Sequence, residues 1–275
     1  MAPLHRAVQF SAAIAFAFIT ALATAAETPP QPFEPREGQA GKDVVWVPTP
    51  HALVEKMLDL AKVTAQDFVM DLGSGDGRNI IAAAKRGARG VGVEWNQDMV
   101  DLSRRIAEKE GVADKAKFVQ GDMYEADISK ATVLALFLLP DNLEKLKAKF
   151  LELPPGSRIV MNGFDIPEWK PDVTERADGD CGAWCTAHLY IVPANVAGTW
   201  KLPAGELTLE QTYQNVSGTL AANGTRTPIS NAKLLGDRIS FTAAGVTYIG
   251  RVKGDAMSGK MKGGSAGSWR ASRVL

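Results

Sequence analysis

A glycine-rich turn between an apolar run and a short helical pattern constrains this chain more than any other feature. Residues 68–72 read as a buried strand, and the turn Gly73-Ser-Gly-Asp-Gly77 follows at once. The apolar residues after the turn indicate a short helix. A strand, turn and helix in this order direct backbone N–H groups and the positive helix end at whatever lies above the turn. Because a Cβ atom on these glycines would collide with a bound molecule, the pattern predicts a ligand-binding turn.

The spacing of the glycines favours one of two ligand classes. The dinucleotide fingerprint is G-x-G-x-x-G, whereas this turn reads G-x-G-x-G and has Arg78 where the fingerprint needs its third glycine. Asp71, two residues before the first glycine, is a carboxylate better placed to face an ammonium group than a pyrophosphate. A turn that binds nothing is the alternative interpretation of the motif taken alone.

Two further predicted strands end near acidic residues. The strand at 90–94 ends on Glu94, where nucleotide-binding sheets use a carboxylate to hold a ribose diol. The next strand runs into Gly121-Asp122-Met123, which offers an acid and a soft side chain to the edge and the face of an adenine. Since ribose, adenine and an amino acid without phosphate describe S-adenosylmethionine, the sequence predicts that cofactor.

The three motifs together resemble the class I, seven-strand methyltransferases. The resemblance implies that the turn glycines contact the methionine part of the cofactor and that Glu94 binds the ribose hydroxyls. It also implies that Asp122 meets the adenine amino group, that Met123 lies on the adenine face and that Asp71 orients the methionine ammonium. The predicted cofactor-binding residues are therefore Asp71, Gly73, Gly75, Gly77, Glu94, Asp122 and Met123.

A narrower resemblance rests on the glycine turn together with Trp46-Val-Pro-Thr-Pro50 and Leu138-Leu-Pro140. Over roughly residues 46–193 the chain is similar to the small bacterial and mitochondrial enzymes that methylate protein lysines on membrane-associated partners. It departs from them at Trp46, where a tyrosine is usual, and in carrying an export signal. The resemblance implies an in-line displacement at the sulfonium methyl without an obligate catalytic base. The residues predicted to form the acceptor channel are Trp46, Thr49, Pro140 and Asn142, with Asn162 and the apolar run 137–139 beside them.

Helical and strand patterns alternate as far as Asn162 and predict an α/β fold, a doubly wound parallel sheet with helices on both faces. The run 132–139 is nearly all apolar, as a central parallel strand should be. In such sheets ligands bind at the carboxyl ends of the strands, where the predicted site residues fall. The last two strands of this predicted domain, which spans 46–194, are expected at 175–180 and 188–192.

Three polar residues are predicted to begin helices as N-caps. Thr49 precedes a helical pattern that starts with Pro50 in its first turn. Asn96 precedes the next long pattern. Asp141 has Glu144 three residues after it, which is the spacing of a capping box.

The last part of the chain, 195–275, has a different character. Hairpin signals occur at Asn223-Gly224, Gly236-Asp237 and Gly254-Asp255, with alternating apolar and polar residues between them. The pattern predicts a small antiparallel β barrel or sandwich of about six to eight strands, with a structural or docking role. The whole chain is formally neutral, but this part has ten basic against four acidic residues, so the remainder is correspondingly acidic.

The N-terminus has the pattern of a secretory signal peptide at 1–26, followed by a proline-rich flexible linker at 27–45. A basic start and an apolar run lead to Ala23-Thr-Ala25, a small-x-small cleavage site, although an uncleaved membrane anchor is the alternative. No later segment is long and apolar enough to span a membrane, so no transmembrane span is expected after cleavage. The sequence therefore predicts an exported protein of the periplasm or cell envelope.

The two cysteines, Cys181 and Cys185, lie four residues apart near His188. Three states fit them: a small-loop disulfide in an oxidising compartment, two buried thiols, or part of a metal site that lacks a nearby fourth ligand. The predicted site contains no metal.

Three functions are compatible with these residues. The first is a methyltransferase that acts on a lysine amine of a protein, with an envelope- or membrane-associated partner and no nucleic acid. The second is a small-molecule methyltransferase on the same core. The third is an exported protein that binds the cofactor without turnover, which the intact motif Asp71, Gly73, Gly75, Gly77 and Glu94 disfavours.

Overall fold

The computed structural model describes residues 1–2, 33–203, 205–264 and 267–274. The predicted signal peptide, apart from its first two residues, lies outside the described residues. Within them, no helix is both long and apolar enough to cross a membrane.

The first part of the described chain is a seven-strand sheet in the order β3-β2-β1-β4-β5-β7-β6. Strands β1 to β5 are parallel, and β7 runs antiparallel to both of its neighbours. This arrangement confirms the predicted doubly wound fold. The strands are β1 Phe68–Leu72, β2 Arg89–Glu94, β3 Ala116–Gln120, β4 Val133–Leu136, β5 Arg158–Asn162, β6 Val173–Arg176 and β7 Thr186–Ile191.

Helices cover both faces of this sheet and create two apolar cores. The core on one face contains side chains from α1, α2 and α3, and the core on the other contains side chains from α4. The central strand β4 is buried along its whole length, so it contributes to both. The helices are α1 His51–Leu60, α2 Arg78–Lys85, α3 Gln97–Lys109 and α4 Pro140–Leu151.

The helix caps correct two predictions and confirm one. The Asn96 side chain accepts a hydrogen bond from the backbone N–H of Asp98, as predicted. Thr49 does not cap α1, because the N-cap is Pro50 and the Thr49 hydroxyl instead accepts from the amide of Asn162. Asp141 does not cap α4 either, because Pro140 starts that helix one residue earlier. The predicted capping box with Glu144 is therefore wrong, although the Asp141 carboxylate still lies in the favourable first turn.

The two strands at the antiparallel edge begin two residues earlier than predicted. Residues 177–185 separate β6 from β7, and within them Cys181 and Cys185 form a disulfide. The sequence pattern at 175–180 is therefore split between the end of β6 and this connecting loop.

The second part of the described chain is a nine-strand antiparallel sheet in the order β11-β10-β9-β8-β16-β15-β14-β13-β12. Strands β10 and β12 approach each other, so the sheet nearly closes into a barrel. The three predicted hairpins are confirmed, but the described residues contain nine strands rather than six to eight. The strands are β8 Gly198–Leu202, β9 Gly205–Thr212, β10 Asn215–Ala222, β11 Thr225–Pro228, β12 Ser230–Leu235, β13 Arg238–Ala243, β14 Val246–Lys253, β15 Ala256–Lys262 and β16 Gly267–Arg273.

Aromatic side chains join the barrel to the first sheet. Tyr213 stacks on Trp169, with ring centroids 5.4 Å apart and an interplanar angle of 5°. The Gln214 amide donates to the carbonyl of Lys170 over 2.8 Å. A second contact lies at the hairpin between β12 and β13, where a Cβ atom on Gly236 would be 2.9 Å from the Cα of Gly156. The barrel is therefore attached at two separate points.

Candidate active site

The glycine turn connects β1 to α2 in the predicted place. Gly73, Gly75 and Gly77 all have positive φ, at 75°, 55° and 81°. A Cβ atom on Gly75 would lie 2.6 Å from Nε1 of Trp46, and one on Gly77 would lie 2.6 Å from the ring of Phe118. Backbone conformation and packing within the protein therefore require glycine at 75 and 77, independently of any ligand.

Glu94 is held at the end of β2 by two backbone donors. Its Oε2 accepts from the N–H of Gly75, and its Oε1 accepts from the N–H of Asn96, each over 2.9 Å. The side chain lines a cavity of ≈ 280 Å³ that opens beside the turn. Each oxygen keeps a lone pair for a further donor, so the carboxylate can accept bonds from two hydroxyl groups of a ligand.

Asp71 lies beneath the turn and does not line this cavity. It is almost completely buried, and its Oδ2 accepts from the amide of Asn79 over 3.0 Å. Burial raises the pKa of Asp71 to about 8, although the bond from Asn79 opposes the shift. The role predicted for Asp71, orienting the methionine ammonium, stays a prediction, and its carboxylate is bonded to Asn79 beneath the turn.

Asp122 and Met123 follow β3 and line the same cavity as Glu94. Asp122 accepts from the backbone N–H of Tyr124 over 2.9 Å and from the ammonium of Lys42 over 2.5 Å. The Lys42 ammonium, together with this backbone bond, holds the pKa of Asp122 below its ordinary value. The same ammonium lies 4.6 Å from the ring centroid of Trp95, which is half exposed at the edge of the cavity.

The segment before α1 forms one wall of the cavity. The N–H of Trp46 donates to the carbonyl of Gln39, and the N–H of Gly38 donates to the carbonyl of Trp46. Ala40 and Val45 form an antiparallel bridge between them. Residues 33–45 thus differ from the flexible linker predicted at 27–45. Residues 39–47, called the cover segment below, all line the cavity.

The cavity has a polar half and an aromatic half. The polar half includes Glu94, which ends β2, and Asp122, which follows β3, and these two strands form one side of the sheet. On the other side of β1, the ends of β4 and β5 and the loop before β7 bring in Phe137, Phe164 and Trp184. The order of strands therefore places the two halves on opposite sides of the glycine turn.

The predicted acceptor residues are only partly brought together. Trp46 lines the cavity, whereas Thr49, Pro140 and Asn142 do not. The Asn142 amide instead donates to the Tyr124 hydroxyl over 2.7 Å. Pro140 is an exposed first residue of α4.

Sequence reasoning missed Phe164 and Trp184. Phe164 could have been identified from its position, because it lies two residues after Asn162, the last residue of β5. Trp184 lies inside the loop closed by Cys181 and Cys185, which form a disulfide. The sequence left three states open for the cysteines, and in the structure they form the disulfide.

Comparison with known proteins agrees with this geometry. Residues 71–173 match the family model described as the ANTKMT methyltransferase domain. The chain is 44% identical over 153 residues to a protein-lysine N-methyltransferase of Saccharolobus islandicus, a match that covers 54% of this chain and 94% of that protein. The chain belongs to the class I S-adenosylmethionine-dependent methyltransferases. Its barrel strands β8 to β16 lie outside the family model.

Two other relatives resemble this methyltransferase over the same region. An adenine nucleotide translocase lysine N-methyltransferase of Mus musculus is 35% identical over 133 residues, which are 48% of this chain and 57% of that protein. An RNA methyltransferase from Salinibacter ruber, solved in complex with S-adenosyl-L-homocysteine, is 45% identical with a TM-score of 0.51. That match covers 55% of this chain and 96% of the solved chain.

The residues of this methyltransferase fit S-adenosylmethionine. Glu94 offers acceptors to ribose hydroxyls, and Asp122, which accepts from Lys42 and Tyr124, keeps a lone pair on each oxygen for an adenine amino group. Met123 and Trp95 provide apolar surface beside these acids. Gly73 borders the cavity, so backbone is the surface nearest the methionine part. The sequence prediction of the cofactor is therefore confirmed, whereas its individual contacts stay predictions.

Proposed function

We propose that this methyltransferase transfers a methyl group from S-adenosylmethionine to the side-chain amine of a lysine in a partner protein. The observation that carries the proposal is the aromatic half of the cavity, next to a polar half that fits the cofactor. The relatives from Saccharolobus islandicus and Mus musculus, both named as lysine N-methyltransferases, support this class of acceptor.

The chemistry of this transfer requires a neutral amine. The cofactor supplies a methyl group activated by its sulfonium. A lysine ammonium with a pKa of about 10.4 requires roughly 4–5 kcal/mol to lose its proton at pH 7. Apolar walls such as Phe137 and Leu138 reduce that cost, because a dry environment disfavours the ammonium. With the cofactor bound, the amine nitrogen would bond to the methyl carbon as the carbon–sulfur bond breaks, and the electron pair of that bond would remain on sulfur.

The protein contributes position and exclusion of water in this reaction. The cover segment lines the cavity. Leu138 packs against Gly73, since a Cβ atom built on Gly73 would lie 3.5 Å from Cδ2 of Leu138. The proposal requires no side chain to act as a general base. The proton of the ammonium leaves to water before the amine enters the apolar part of the cavity.

We extend the proposal to the compartment and the partner. The predicted signal peptide supports export, and an exported enzyme would meet its acceptor protein in the cell envelope. The outer face of the barrel supports an anionic partner surface. Cross-strand pairing aligns Arg238, Arg251, Ser258 and Arg270 in one row across β13 to β16. Lys260 and Lys262 alternate with inward residues on β15 and are exposed on the same face.

An incubation of the purified enzyme with radiolabelled cofactor tests the proposed function. The acceptors are the protein and RNA fractions of a cell envelope extract and of a cytoplasmic extract. The expected result is a labelled band that protease removes and ribonuclease does not, with methyllysine after acid hydrolysis. Label in RNA would show that the chain shares the acceptor class of the Salinibacter ruber relative. Label only in small extractable molecules would support a small-molecule methyltransferase.

A further inference from the structure

Three aromatic side chains form a continuous wall in the cavity. The ring centroids of Phe137 and Trp184 are 4.9 Å apart in an edge-to-face arrangement. Those of Phe164 and Trp184 are 5.4 Å apart, and those of Phe137 and Phe164 are 6.1 Å apart. Each ring contacts the other two, and all three border the cavity. We call this set the aromatic wall.

The aromatic wall lies on the side of the glycine turn opposite to the cofactor residues. Phe137 follows β4, Phe164 follows β5 and Trp184 precedes β7, whereas Glu94 ends β2 and Asp122 follows β3. A cofactor held by these carboxylates and the turn would leave the part of the cavity beside β4 and β5 open for an acceptor. The aromatic wall borders that part.

A disulfide loop delivers Trp184 to this position. Cys181 and Cys185 are bonded, and the backbone N–H of Trp184 donates to the carbonyl of Cys181 over 2.9 Å inside the loop. Both cysteines are buried in the apolar core beneath, at 4% and 8% exposure. Gly163 lets the indole approach, since a Cβ atom there would lie 3.1 Å from the ring. The loop is thus anchored on one side and presents Trp184 on the other.

The chemistry of the wall suits a lysine side chain. Its apolar rings can pack against the four methylenes of the neutral acceptor lysine, and their π faces attract the methylammonium of the product. We infer that the aromatic wall binds the acceptor lysine and that the Cys181–Cys185 disulfide positions Trp184 for this role. The inference rests on the proposed function, because it names the acceptor subsite of that reaction.

Trp184→Ala tests the wall, with acceptor saturation and cofactor binding measured separately. The acceptor is an envelope protein extract titrated at saturating cofactor, and the readout is methyllysine. The expected result is an apparent KM for the extract that rises about tenfold, a typical value for loss of a large aromatic contact. The dissociation constant of S-adenosylmethionine stays unchanged, and Trp184→Phe retains most of the affinity for the acceptor.

Trp95→Ala is the matched control, because Trp95 borders the polar half of the same cavity. It should weaken cofactor binding and leave the acceptor KM unchanged. Methyllysine formed with the same KM by the wild type and by Trp184→Ala would overturn the inference while leaving the proposed function intact. Absence of methyllysine with the wild type would instead refute the proposed function, and the inference with it.

Reduction of the disulfide tests the positioning role. A dithiol reagent converts the cystine to two thiols and is itself oxidised to a cyclic disulfide, and thiol titration measures completion. Reduction should raise the acceptor KM of the wild type but not that of Trp184→Ala, because the effect acts through the indole. The double variant Cys181→Ala, Cys185→Ala should reproduce it without a reductant. A lower melting temperature with an unchanged KM would assign the disulfide a stabilising role alone and overturn the positioning inference.

Discussion

The ammonium of Lys42 lies 2.5 Å from Oδ2 of Asp122, although 80 positions separate the two residues. The pair joins the cover segment to the end of β3, at the carboxylate predicted to meet the adenine. Each partner favours the charged form of the other, so the pKa of Lys42 is raised and that of Asp122 is lowered. The contact makes the cover segment part of the cofactor site.

Lys42→Met should accelerate release of S-adenosylmethionine. The variant keeps the apolar stem but removes both the ion pair with Asp122 and the cation–π contact with Trp95. Stopped-flow displacement should show a dissociation rate several-fold higher than that of the wild type. An effect of this size is expected from the loss of one exposed polar contact. Lys145→Met is the control, since Lys145 lies over the Tyr124 ring and outside the cavity. Equal dissociation rates for both variants and the wild type would show that the contacts of Lys42 do not retain the cofactor.

Glu94→Ala should weaken S-adenosylmethionine binding at least about tenfold, because a hydrogen bond to a charged group contributes roughly 1.5–3 kcal/mol. The variant also removes the acceptors for the N–H groups of Gly75 and Asn96, so circular dichroism must confirm that the fold persists. Glu108→Ala, an exposed change on α3, should leave the affinity unchanged. Unchanged affinity for Glu94→Ala in titration calorimetry would rule out the ribose assignment.

Asp71→Asn should change how stability depends on pH. The pKa of Asp71 is about 8 in the folded protein, against roughly 3.9 when unfolded. Between these values the folded state holds a proton that the unfolded state has lost, so this group makes the free energy of unfolding fall as pH rises, by up to about 1.4 kcal/mol per unit. The neutral variant lacks that contribution. Denaturant titrations at pH 5, 6, 7 and 8, roughly spanning the window, should give a flatter profile than the wild type. Parallel profiles would contradict a raised pKa.

The mature protein should begin near Glu27 if the predicted signal peptide is removed. The motif Ala23-Thr-Ala25 supplies small residues at the cleavage position. Mass spectrometry of the native protein, separated into envelope, soluble exported and cytoplasmic fractions, measures the N-terminus and the compartment together. A cytoplasmic chain that begins at Met1 or Ala2 would refute export.

Neutralising the basic face of the barrel should reduce labelling of the native acceptor. The variant Lys260→Gln, Lys262→Gln, Arg270→Gln removes three exposed positive charges without touching the cavity. Labelling by the wild type should fall with added salt, since exposed charges are screened over about 8–10 Å at ordinary ionic strength, and labelling by the variant should depend less on salt. The control neutralises three exposed cations elsewhere, at Arg105, Lys109 and Lys145. Equal salt dependence for both variants would argue against docking through this face.

The cofactor half of the site was predictable because it follows local sequence. A strand, a glycine turn and an acid at the next strand end lie within a short stretch, and the parallel topology brings them together without further information. The aromatic half was not predictable in the same way. Trp184 reaches Phe137 and Phe164 only through the antiparallel insertion of β7 between β5 and β6, a long-range pairing that local patterns do not record.

The errors in detail also have physical causes. Thr49 and Asp141 are good capping residues, but a proline beside each one fixes the start of the helix at another position. The hairpin between β9 and β10 gives no such local signal, because Tyr213 adopts positive φ in its turn, where glycine or asparagine is usual.

The contact between Gly236 and Gly156 and the stacking of Tyr213 on Trp169 attach the barrel at two points. Two attachment points oppose rotation about a single hinge, which would keep the basic face at a constant distance from the mouth of the cavity. The enzyme would then select an acceptor lysine by its distance from an anionic surface of the partner protein as well as by the residues beside it in the sequence. The barrel would thereby set the distance between the docking surface of the partner and the lysine that is methylated.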